Sequence, residues 1–112
     1  MKYEMNLRPV FFDKIKDGEK IYEIRLNDEK RKAIKVGDII TFKKEQTIEQ
    51  LDTQVVDLKH YQTFEEMLKF ISVKDIGMAG KSIAEVISVY RQFYSIETES
   101  KYGVLAIKVA NI

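Results

Sequence analysis

Between Gly18 and Arg31 the sequence reads GEKIYEIRLNDEKR, where four basic and four acidic side chains surround four apolar ones. Lys20, Glu23 and Arg25 carry the chemistry to recognise a polar ligand. The guanidinium of Arg25 is a planar fork suited to phosphate or carbonyl oxygens, and the ammonium of Lys20 is a mobile point charge. Glu23 can accept from an exocyclic amine or orient one of the two cations. In a strand Glu23 and Arg25 share a face, because side chains alternate with period two. Lys20 has the opposite parity unless the chain is still turning after Gly18, whose missing Cβ frees the backbone. Lys30 and Arg31 lie just beyond and extend a basic rim. The structural alternative is a solvated face, with Asp28 and Arg31 forming an i,i+3 bridge worth roughly a few tenths of a kcal/mol.

Other candidates are weaker. His60, the single histidine, stands in LKHY with no second ligand nearby, so no metal site is expected. Tyr90, Phe93 and Tyr94 recur at i, i+3 and i+4, a spacing that favours core packing; the functional version stacks a base on Tyr94 or Tyr102. Gly80-Lys81-Ser82 at a helix start offers an anion site, but the full phosphate-loop spacing is missing. No cysteine is present, which removes disulfides, thiolate metal ligands and thiol nucleophiles. No cofactor is implied.

These side chains need elements to position them. Pro9 suits a first helical position and Gly18 a left-handed end, so a helix over 9–17 is expected after a short extended piece. KIYEIRL alternates as a strand, with Tyr22, Ile24 and Leu26 on one face and Ile21, Glu23 and Arg25 on the other. Asn27 or Asp28 can cap one or two helical turns through Ala33. DIITF and TQVVDLKHY read as strands joined across EQTIEQLD. Capping boxes at Thr63-x-x-Glu66 and Ser82-x-x-Glu85 announce two helices, separated by the glycine-containing loop SVKDIGMAGK. YGVLAIKVANI closes as a strand. The order is that of an α+β domain on a small, mostly antiparallel sheet flanked by short helices, and closure into a barrel would protect the edges.

The 112 residues suit one domain spanning 1–112. The net charge of +1 gives no global field to attract nucleic acid, so any anion site must be a local cluster. No run approaches the roughly 18 apolar residues of a membrane span, and MKYEMNLRP has no apolar leader segment. A cytoplasmic protein without membrane association is expected; the oligomeric state is open.

Gly18-x-Lys20-x-x-Glu23-x-Arg25 resembles the G-x-K-x-x-E-x-R motif of the ASCH domain family. The likeness extends to PVFF in the preceding helix, EIRLNDEKR on and after the strand, VGDIITF, and the final strand in YGVLAI. The resemblance implies a PUA-like β-barrel and a cleft that binds RNA or a modified nucleotide through Lys20, Glu23, Arg25, Arg31 and Tyr102. Some relatives remove the acetyl group from N4-acetylcytidine. Their catalytic lysine maps to Lys20, whereas their threonine maps to Glu23, so that nucleophilic route lacks its hydroxyl. A hydrolytic alternative, on an acylated nucleoside or on RNA, would use Glu23 to activate water and Lys20 to stabilise an oxyanion. A third reading, from larger family members, is a protein-interaction adaptor.

Overall fold

The computed structural model describes residues 1–112. Alternating residues near the N-terminus form strand β1 (Lys2–Leu7), and Pro9 opens helix α1 (Pro9–Asp17). The other elements are β2 (Tyr22–Leu26), β3 (Ile39–Lys44), β4 (Gln50–Tyr61), α2 (Phe64–Met67), α3 (Ile83–Arg91), α4 (Ile96–Tyr102) and β5 (Val104–Asn111). The strands make one sheet in the order β1-β3-β4-β5-β2. Only β1–β3 is parallel; the other three pairings are antiparallel. The expected barrel takes the form of a curled five-stranded half-barrel. A register shift between Val55 and Asp57 in β4 bends the sheet.

Alternation along β5 splits the core in two. Val104 and Ala106 join Tyr22, Ile24 and Leu26 of β2, packed under α2 and α3. Leu105, Ile107 and Val109 face the opposite way, into the curl, with Phe42 and with Phe12 and Ile15 of α1. Glu23 lies opposite Ile107 and Arg25 opposite Leu105, so both charged residues point into the curl. The half-barrel therefore carries its polar groups at its open side, where the outer strands β1 and β2 share no ladder.

Three elements depart from expectation. The N-terminal extended piece is a full strand, because its parallel partner β3 lies far along the chain and leaves no local signal. Residues 28–34 make hydrogen-bonded turns rather than a helix; Asp28 Oδ1 accepts from the N–H groups of Lys30 and Arg31, which is the expected cap. A further helix, α4, follows Ser95, whose side chain caps it by accepting from Thr98 N–H.

Candidate functional site

Gly18 ends α1 at φ 88°, donating its N–H to the Ile15 carbonyl, and the chain is still turning at Lys20. The parity problem is resolved there: Lys20 precedes the strand, and its side chain reaches round to Glu23. Lys20 is 4% exposed and Glu23 5%. The Lys20 ammonium donates to the Tyr22 carbonyl at 2.5 Å and the Ile76 carbonyl at 3.3 Å, and lies 3.2 Å from Glu23 Oε1. Its three N–H donors thus have three acceptors. Arg25 Nε donates to Glu23 Oε2 at 2.6 Å, and Arg25 Nη2 to the Asn6 carbonyl of β1 at 2.9 Å. One carboxylate is clamped between two cations, and one cation ties the two outer strands together.

Burial by itself would raise the Glu23 pKa, but the charges of Lys20 and Arg25 outweigh it and hold the carboxyl below its ordinary value. Burial dominates at Lys20 and lowers its pKa despite Glu23. At Arg25 burial is again opposed by Glu23, which keeps the guanidinium firmly charged.

Above this triad opens a cleft of about 260 Å³. Its walls are largely aromatic and aliphatic, with Phe11 from α1, Ile76 and Met78 from the 72–82 loop, and Tyr90, Phe93 and Tyr94 from α3 and its end. Arg8, Lys20 and Arg25 face Glu23 and Glu45 among the lining residues, which leaves a formal surplus of one positive charge. Arg8 sits over the Phe93 ring at 4.4 Å. Phe64 stacks beneath Tyr90 at 4.5 Å and Tyr94 at 5.8 Å, so the tyrosines pack on the core with one face and border the cleft as well. Burial and the Glu23 charge push the Tyr90 hydroxyl far up; burial also raises that of Tyr94, against Arg25.

Lys20, Glu23 and Arg25 therefore lie in mutual contact, and all three border the cleft. Arg31 borders a neighbouring hollow that also touches Arg25, and pairs with Asp28 at 2.9 Å. Tyr102 packs against the β2-side core and is not among the residues that line the cleft. His60 is exposed on β4. The anion site considered at Ser82 is filled internally: Glu85 Oε1 accepts from Ser82 N–H in a complete capping box. Sequence reasoning missed Asn6, Arg8, Ile76 and Met78. No local pattern marks a loop residue as a cleft wall, although the i, i+4 pair Tyr90 and Tyr94 did signal a shared helical face.

The sequence profile of the ASCH domain matches residues 5–112. The crystal structure of the hypothetical protein PH0355 is 44% identical, with 100% of both chains covered, and superposes with a TM-score of 0.90. The solution structure of protein PF0455 from Pyrococcus furiosus is 41% identical, covers 100% of this chain and 98% of that one, and gives a TM-score of 0.81. An ASCH domain from Lactobacillus crispatus shares the fold at 15% identity and a TM-score of 0.74, over 98% of this chain and 79% of the other. No curated protein matches.

Proposed function

The chain belongs to the ASCH domain family, and from that premise we propose that it binds RNA or a nucleotide, holding a base in the cleft above Lys20, Glu23 and Arg25. The observation that carries this reading is the pairing of an aromatic wall with a largely buried, positively biased triad. An aromatic face accepts any base, and a ring seated there would meet both an acceptor, Glu23, and a fixed donor, Arg25. The triad is already paired, with Lys20 and Glu23 buried, so little reorganisation accompanies binding.

The same geometry counts against hydrolysis at this site. Two cations depress the proton affinity of Glu23, which weakens it as a general base. The Lys20 donors are spent on two carbonyls and Glu23 rather than on an oxyanion.

Titration of labelled single-stranded RNA and of the common nucleotides tests the proposal. Affinity should fall steeply with added salt, as phosphate contacts require. Arg25→Ala should weaken it by about tenfold or more, the loss of one charge-assisted hydrogen bond. Absence of binding in both wild type and variant at low salt would end this reading.

A further inference from the structure

The cleft has a polar neighbour. A second hollow, of about 440 Å³, lies against β1 and the turns after β2, and Asn6 and Arg25 line both cavities. Their boundary is the hydrogen bond from Arg25 Nη2 to the Asn6 carbonyl. The two sides differ in character. The cleft is mostly apolar, whereas the second hollow has three basic residues, Arg25, Lys30 and Arg31, and one acid, Glu4. Lys43 stands 3.1 Å from Glu4 and offsets its charge. Arg31 is held by Asp28 through Nη1 alone, which leaves its remaining guanidinium N–H groups for a ligand. With Asn6 and Arg25 in the lining of both, the basic hollow and the aromatic cleft are direct neighbours.

A cleft with aromatic walls, joined across one arginine to a basic hollow, matches the two halves of a nucleotide. We propose that the second hollow seats the phosphate of the ligand whose base occupies the cleft, with Lys30 and Arg31 as its contacts and Arg25 between the halves. The inference rests on the base-binding reading above and narrows it: the ligand is a phosphorylated nucleoside rather than a free one. That chemistry has two sources, a mononucleotide or one residue of a strand.

Calorimetric titration of wild type with the four ribonucleosides, their 5′- and 3′-monophosphates and a short oligoribonucleotide tests it. A monophosphate or the oligonucleotide should bind about tenfold or more tightly than its nucleoside. The double variant Lys30→Ala/Arg31→Ala should erase that margin and leave nucleoside affinity unchanged. Arg31→Lys should restore part of the margin when Lys30 is intact, separating charge from fold. Tyr94→Leu should weaken nucleoside and nucleotide alike. Monophosphate binding as tight as that of the oligonucleotide assigns the site to free nucleotides; tighter oligonucleotide binding assigns it to a strand. If the double variant binds monophosphates and oligonucleotide as wild type does, the phosphate seat is overturned and the base cleft stands. If wild type binds none of these compounds, both are overturned.

Discussion

A carboxylate as deeply buried as Glu23 would ordinarily hold its proton, yet here the charges of Lys20 and Arg25 keep it ionised. Removing it strands the buried ammonium of Lys20 and unpairs the half-buried guanidinium of Arg25, so Glu23→Gln should cost about 3–5 kcal/mol in chemical unfolding, as broken buried pairs do. The same group sets an acid limit. As pH falls through the ordinary carboxyl value of 4.5, the unfolded chain takes up a proton before folded Glu23 does. Stability is therefore full above that value and lost progressively below it. Thermal melts between pH 3 and 7 should show this decline in wild type and a shallower one in Glu23→Gln. Lys20 acts at the alkaline end, and in the same direction. Its folded pKa lies below the ordinary 10.5, so the unfolded chain retains the proton longer and this group adds stability as pH rises toward that value.

At the scale of the element, the 72–82 loop fixes where Lys20 can go. Gly77 has φ +83°, and a Cβ built there would stand 2.9 Å from Lys20 Cδ, while its carbonyl accepts from Lys14 Nζ at 2.9 Å. Gly80 has the same φ but open space around its Cα. Gly80→Ala should then show only the backbone penalty of about 1–2 kcal/mol. Gly77→Ala should show that penalty and also displace Lys20, lowering ligand affinity. Denaturation and ligand titration of both variants isolate the contact, because the backbone contribution is common to them. Equal effects on affinity would show that the Gly77–Lys20 contact does not set the site's geometry.

Across the whole molecule, the two core clusters on opposite faces of the sheet play different parts. Phe12 fills the curl and Phe64 the layer beneath Tyr90 and Tyr94, and neither is exposed. Phe12→Ala and Phe64→Ala should each cost about 3–5 kcal/mol in urea denaturation. Only Phe64→Ala should also weaken binding under conditions where both variants remain folded, since it removes the support of the cleft wall without lining the cleft. The open seam between β1 and β2 is the other global feature. Arg25 spans it through the Asn6 carbonyl, so one side chain joins the sheet's free edges and borders both cavities.

The local pattern of the chain determined most of its elements and picked out the charged group Lys20, Glu23 and Arg25. Period-two alternation identified β2 and the shared face of Glu23 and Arg25. Pro9 and Gly18 bounded α1, and Ser82 with Glu85 marked the start of α3. The glycine-to-arginine spacing, taken with its flanking elements, carried the family. Burial of Lys20 and Glu23 was decided only in three dimensions, because a charged alternating strand reads identically whether its polar face meets water or a second layer. The same holds for the β1–β3 pairing and for cleft walls drawn from α1, α3 and the 72–82 loop. Those contacts join residues distant in sequence, and their free energy comes from packing between elements, which no local spacing records.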